Sequence, residues 1–382
     1  MRIGILVTIS NGFGKKGYYH SQEVGLAKEL EKRGHMVTIY KCVPYDGLSY
    51  LEHAKEKVME GSIAINYIPS PHIGIHGYIS PKYINRTLDA LLAFSDTQIF
   101  LPPIIKYCDK NNIIFIPYVG IAHSSSTGRK AQLLDALYQA GTLKEYKKRH
   151  VIAKTWPVED ELHMLGVNDT DIAPVGLDKS LLKLDFREFD REEMRSEMGY
   201  TKDNKVISFV GRMQKEKNPD LMVRIFKEVH ALNPNARLLM VGDGYMLGDV
   251  RKMVQELNLN DCVKIIPKVP YEDMWKIHYI ADCFVNLCRR EIFGMALLEA
   301  AFYETQIAAY HAAGPDAILT GAKGHYLCDT PDEIIKALVS KETYKKEIHE
   351  FSEKMLSIYT WATCADIIEE IVSERKESAY AD

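Results

Sequence analysis

Glu291-Ile-Phe-Gly-Met-Ala-Leu-Leu-Glu-Ala300 follows an apolar run, Ala281-Asp-Cys-Phe-Val-Asn-Leu287. The run reads as a buried strand. The chain then breaks at Gly294 and restarts with helix-forming residues. A strand that turns into a helix in this way leaves backbone N–H groups unpaired at the helix start. The positive end of the helix dipole lies there too, so such a terminus attracts phosphate. Glu291 and Glu299 stand eight positions apart around the break. Their charge keeps them from holding phosphate, but they can accept hydrogen bonds from hydroxyls. Phosphate plus hydroxyls describes a sugar nucleotide. The same pattern also describes an amphipathic helix with two solvent-facing glutamates.

Upstream, the strand Lys205–Val210 ends at Gly211-Arg-Met-Gln-Lys-Glu-Lys217. Arg212 and Lys217 then stand at the carboxyl end of a strand, where two cations can neutralise a diphosphate. Further α/β alternation runs through Gly242-Asp-Gly244, Val263–Pro267 and Gln306–Tyr310 to Ala313-Gly-Pro315. The amino-terminal half opens in the same manner. A strand (Ile3–Ile9) leads to a glycine loop with Gly12, Gly14 and Gly17, a helix (Ser21–Arg33), Gly34 and a strand (Met36–Tyr40). This is a Rossmann-type opening. No acidic residue closes its second strand, so NAD is not expected.

Leu88–Phe94 is predicted helical, Thr97–Leu101 a strand, and residues 62–80 an uncharged loop. Ile113–Val119 is a buried strand that runs into Gly120-Ile-Ala-His123. A histidine past the end of a parallel strand is well placed for a ligand cleft. Residues 130–150 are predicted to form a helix with a basic end, Lys144, Lys147, Lys148, Arg149 and His150. That run is a solvated face or a contact for an anionic membrane surface. The expected organisation is α/β: two Rossmann-like domains, 1–180 and 181–359, facing each other across a cleft. A helix at 360–382 packs back towards the first.

A net charge of −4 argues against a nucleic-acid partner. Seven cysteines without a Cys-x-x-Cys pair fit reduced thiols and a cytoplasmic setting, and none is spaced with histidine as a zinc site. The apolar start, Met1–Ser10, is too short for a secretory or membrane segment. Asp169-Thr-Asp171 lies in a loop ahead of the linker and reads as chance, not as a metal site.

The second half resembles the nucleotide-binding domain of the family-4 retaining glycosyltransferases, which have the GT-B fold. The resemblance runs through Val210–Lys217, Val241–Gly244, Glu291–Glu299 and Ala313–Pro315, in order and spacing. The first half is similar more loosely, through Gly17, Arg33-Gly34-His35 and Ile116–His123. The resemblance implies transfer of a hexose or N-acetylhexosamine, with retention, from a UDP-sugar to a hydroxyl. The implied acceptor is a glycan or lipid-linked glycan of a bacterial surface polymer; for such an acceptor the basic run at 144–150 would make a peripheral contact with the inner face of the membrane. It implies that Arg212 and Lys217 hold the diphosphate and that Glu299 binds the ribose. Glu291 would contact the transferred sugar, with Phe293, Gly294 and Met295 offering N–H groups. Gly17 would let its loop approach the diphosphate, and His123 would lie near the reaction centre. No metal or other cofactor is implied. The rival readings are a GT-B epimerase, a glycogen-synthase-like enzyme, and an idle sugar-nucleotide-binding subunit.

Overall fold

The computed structural model describes residues 1–9, 22–44, 57–123 and 128–381. These fall into two compact units. One joins the residues up to Gly176 with those from Trp361 onward; the other is Leu177–Thr360.

The first unit holds β1 (Arg2–Val7), α1 (Gln22–Lys32), β2 (Met36–Pro44), β3 (Lys57–Glu60) and β4 (Ile63–Ser70). A two-residue pair, β5 (His72–Ile73) and β6 (His76–Gly77), follows, and then β7 (Ala90–Phe94), α2 (Pro102–Lys110) and β8 (Ile114–Val119). The remaining elements are α3 (Arg129–Tyr138), α4 (Lys144–Tyr146), β9 (Val151–Ala153), α5 (Trp156–Met164) and β10 (Thr170–Ile172). The sheet order is β10-β9-β8-β7-β1-β2-β4-β3, parallel except for β3 at the edge. Order reverses between β1 and β7, which makes the gap between their carboxyl ends the topological switch point. The carboxyl-terminal helix, Trp361–Ala381, lies on α1. Gly25 leaves room for the Trp361 indole, which a Cβ there would meet at 2.3 Å. Arg33 donates to Asp366 at 2.6 Å and to Glu369 at 2.8 Å.

Three sequence expectations fail in this unit. Ala90–Phe94 is a strand, not part of a helix, and all five residues are buried between β1 and β8. A short apolar run has no period to separate the two states; the neighbouring strands decide. Thr97–Leu101 is not a strand. Asp96 turns the chain at φ 29°, and Pro102 and Pro103 then open α2, where a missing N–H costs nothing. Residues 62–80 are not a bare loop. Ile63–Ser70 pairs with β2 in parallel, with its apolar residues turned inward.

The second unit is built from α6 (Arg191–Glu197), β11 (Lys205–Val210), α7 (Pro219–Leu232), β12 (Ala236–Val241), α8 (Leu247–Glu256) and β13 (Val263–Ile266). The chain continues with α9 (Met274–Ile280), β14 (Cys283–Asn286), α10 (Met295–Phe302), β15 (Gln306–Tyr310) and α11 (Ala313–Leu319). It closes with β16 (Tyr326–Cys328), α12 (Pro331–Val339) and α13 (Lys345–Ile358). The sheet is parallel throughout, in the order β13-β12-β11-β14-β15-β16. Its strands are buried on both faces, as a parallel sheet between helices requires. Ile207, Leu238 and Met240 pack with Met222, Val223 and Phe226 on one side; Val206, Leu239 and Val241 pack with Ile277 and Ile280 on the other. Order reverses between β11 and β14, which places the second switch point between their carboxyl ends.

Candidate functional site

The loop after β11 is held by close backbone contact with the loop after β12. A Cβ on Gly242 would fall 1.8 Å from the Gly211 carbonyl oxygen, so only glycine fits. Met213 N–H donates to Asp243 O at 2.9 Å. The loop ends in a single 3-10 turn, Lys215–Lys217, and Asn218 closes it at φ 54°. The Asn218 amide donates to Leu287 O at 2.8 Å, which ties this loop to the one after β14. Pro219 then opens α7.

On the other side of the switch point, β14 ends at Asn286. Its side chain accepts from Cys288 N–H at 2.9 Å and donates to Glu291 Oε2 at 3.0 Å. Lys217 Nζ reaches the same oxygen at 2.6 Å. A cation from the β11 loop and a carboxylate from the β14 loop therefore meet at the switch point. Both side chains are largely shielded, 22% and 14% exposed. Gly294 precedes α10 at φ 90°, a conformation that disfavours a side chain. Gly314 passes so close behind that a Cβ would lie 2.1 Å from Phe293 O, and its N–H donates to Glu291 O at 3.0 Å. The start of α10 (Phe293, Gly294, Met295) is thus fixed beside the Lys217–Glu291 pair.

Glu299 lies further along α10 and is buried. Tyr271 donates to its Oε1 at 2.7 Å, and His278 Nε2 stands 3.6 Å from its Oε2. With Tyr271, Trp275 and Tyr303 it lines a narrow crevice. Burial raises the Tyr271 phenol, and the nearby Glu299 carboxylate raises it further, so the hydroxyl stays a donor. Neither glutamate is a solvent-facing residue of an amphipathic helix.

The other sequence candidates have different partners or none described. The Arg212 side chain is 64% exposed and stands 3.5 Å from Glu216. His123, in the first unit, is exposed and pairs through Nδ1 with Glu161 of α5. Ala122 N–H donates to the same carboxylate at 3.3 Å. Gly17 lies outside the described residues. Asp169 and Asp171 are engaged by His150 at 2.7 and 2.9 Å, and Arg375 reaches Asp169 at 3.0 Å. Part of the basic run is likewise paired: Lys148 with Glu145 at 2.9 Å and Arg149 with Asp109 at 2.8 Å, while Lys144 and Lys147 are exposed. Among the described residues no helix is long and apolar enough to cross a membrane.

Sequence reading missed Asn286, Asn218, Tyr271 and Glu161. The polar end of an otherwise apolar strand pointed to Asn286, and the Asn-Pro step ahead of a helix pointed to Asn218. Tyr271 and Glu161 reach their partners across 28 and 38 residues, and nothing local marks them.

Residues 190–355 match the family model described as glycosyl transferases group 1. A curated relative, D-inositol 3-phosphate glycosyltransferase of Corynebacterium jeikeium, is 23% identical over 95% of this chain and 93% of its own length. Further relatives of that name are matched over about half of their length or less. Sucrose-phosphate synthase of Thermosynechococcus elongatus superposes with a TM-score of 0.75 at 15% identity, covering 99% of this chain and 100% of that one. Anabaena HepE, solved with UDP and glucose, gives 0.70 at 13% identity over 98% and 100%. At this identity the likeness shows a shared fold, and that fold is GT-B.

Proposed function

We propose that the chain is a retaining, metal-independent glycosyltransferase. It moves a hexose or N-acetylhexosamine from a UDP-sugar to an acceptor hydroxyl. The observation that carries this reading is the Lys217–Glu291 pair beside the start of α10, at a topological switch point. Lys217, joined by Arg212 once a donor is bound, neutralises the diphosphate. Negative charge grows there as the glycosidic bond breaks, so these cations act most strongly in the transition state. The N–H groups of Phe293, Gly294 and Met295 complete the phosphate and sugar contacts. Glu291 leaves Lys217 to the phosphate and takes hydroxyls of the transferred sugar, held by Asn286. Glu299, oriented by Tyr271, binds the ribose. His123, its ring fixed by Glu161, is the candidate sugar contact on the first unit. The leaving phosphate assists deprotonation of the acceptor hydroxyl.

The acceptor is a glycan or lipid-linked glycan of a bacterial surface polymer, and the enzyme works in the cytoplasm at the inner face of the membrane. A second reading, a small phosphorylated polyol, is favoured by the relative matched over most of its length, a D-inositol 3-phosphate glycosyltransferase. A panel of UDP- and GDP-sugars, followed by donor hydrolysis and by the configuration of the released sugar, tests the donor half. The expected result is slow hydrolysis of a UDP-sugar with its anomeric configuration kept. No interaction with any nucleotide sugar would refute it.

A further inference from the structure

In the first unit the residues just beyond the strands carry polar groups that nothing in the proposed chemistry uses. Lys154 follows β9 and is 6% exposed. Its ammonium lies over the Phe94 ring at 5.2 Å and the Tyr118 ring at 5.1 Å, and no carboxylate pairs with it among the described residues. A lysine buried to this degree is ordinarily paired, because desolvating a lone charge is costly. Two aromatic faces compensate only part of that cost. The side chain also has a direction. It leaves β9, crosses Tyr118 of β8 and reaches Phe94, the last residue of β7. β7 flanks the switch point of this sheet. On the other flank, Thr8 is the first residue past β1; it is 1% exposed, and its hydroxyl has no hydrogen-bond partner. Thr155, beside Lys154, is 2% exposed and its hydroxyl is also unpartnered. It occupies the N-cap of α5 without making the capping bond.

A largely buried lysine side chain without a carboxylate and two buried hydroxyls without partners thus stand at the ligand-binding edge of a parallel sheet. We propose that this edge is an oxyanion subsite, with Lys154 as its anchor. Within the transferase reading, on which this inference rests, it takes a phosphate or carboxylate carried by the acceptor. Lys154 supplies the charge, and Thr8 and Thr155 supply donors to the oxyanion or to neighbouring hydroxyls. The subsite selects an anionic acceptor over its neutral counterpart, since the neutral one would leave the ammonium unpaired.

The test compares the full chain with its Lys154→Met and Lys154→Gln variants. Thermal unfolding is followed without added anion, with inorganic phosphate and with acetate, and UDP-glucose is titrated separately. Without anion the Met variant should melt above wild type, because an unpaired buried charge is gone. Phosphate should raise the wild-type Tm saturably, and its apparent affinity should fall at least about tenfold in both variants. A response to phosphate alone assigns a phosphate ester; an equal response to acetate assigns a carboxylate. UDP-glucose affinity should be the same in all three proteins. Absence of binding by wild type to every UDP- and GDP-sugar of the panel would refute the transferase reading while leaving the anion result to stand. A Met variant that melts below wild type, with an undiminished phosphate response, would make Lys154 a structural cation held by its rings and overturn the proposal. So would a wild type that does not respond to either anion.

Discussion

At the switch point of the second sheet, Lys217 and Glu291 satisfy each other at 2.6 Å, with Asn286 holding the carboxylate from its other side. At the carboxyl edge of the first sheet, Lys154 lies between two aromatic rings with no carboxylate, and the Thr8 hydroxyl has no partner. The same strand–loop–helix logic therefore yields two different edges. One is organised in advance: its groups hold one another in position, and a ligand exchanges partners with them. The other leaves charge and hydroxyls unmet, so a ligand supplies what the fold does not. Preorganised groups favour catalysis because little rearrangement is left for the transition state. Unmet groups favour selection, because a ligand lacking the complement leaves them unpaired.

The largest expected effect comes from breaking the paired edge. Lys217→Met should lower turnover about 100- to 1,000-fold, as removal of a transition-state charge partner does. The pair is shielded but not fully buried, and Asn286 still donates to the carboxylate, so the loss of stability should be about 1–2 kcal/mol. Steady-state kinetics beside thermal unfolding separates the two. Turnover within a few-fold of wild type would remove the second edge from the chemistry.

A second contrast sets that edge against the opposite end of the same sheet. His325 precedes β16; its Nδ1 accepts from Ile307 N–H at 3.1 Å, and its Nε2 is sealed from solvent without a partner. Burial holds its pKa down, at about 4. The unfolded chain takes up this proton near its ordinary pKa of about 6.5, well before the folded one. Stability linked to His325 is thus fully present above about pH 6.5 and is lost as the pH falls towards 4. It declines at no more than about 1.4 kcal/mol per unit, about 3 kcal/mol in all. Unfolding of wild type and His325→Gln at pH 7 and 4.5 should show a steeper acid loss in wild type. Parallel losses would contradict it.

A smaller effect is expected at Gly314, which supports the paired edge through backbone alone. Gly314→Ala places a methyl against Phe293 O and should cost about 2 kcal/mol, read as a lower Tm. Activity should fall with it, since the displaced turn carries Phe293 and Gly294. An alanine variant with wild-type Tm and turnover would show that the approach is looser than the geometry requires.

The same contrast explains what could be read from sequence. Each side of the second edge comes from one short stretch. Gly211–Lys217 and Glu291–Glu299 each follow a strand within a few residues, so their place at a sheet edge was legible, and the resemblance those motifs carry implied the GT-B fold. The supporting partners were less visible. Tyr271 and Asn218 act through contacts 28 and 69 residues away, which no local pattern encodes. The first edge was almost silent. Thr8, Lys154 and Thr155 come from two strand ends far apart in the chain, and each residue alone is ordinary. Only the strand order brings them to one side of one sheet. The same lack of local period hid β7, an apolar run of five residues whose neighbours, not its own pattern, make it a strand.

The central claim is that the second switch point binds a sugar nucleotide and that its two glutamates divide the work. Titration of UDP-glucose into wild type, Glu291→Ala and Glu299→Ala, with turnover measured on the same samples, tests it most directly. Glu299→Ala should weaken binding about 10- to 100-fold, the size of a lost charge-assisted hydrogen bond. Glu291→Ala should bind nearly as wild type does and lose turnover instead. Unchanged affinity and unchanged turnover in both variants would contradict the account.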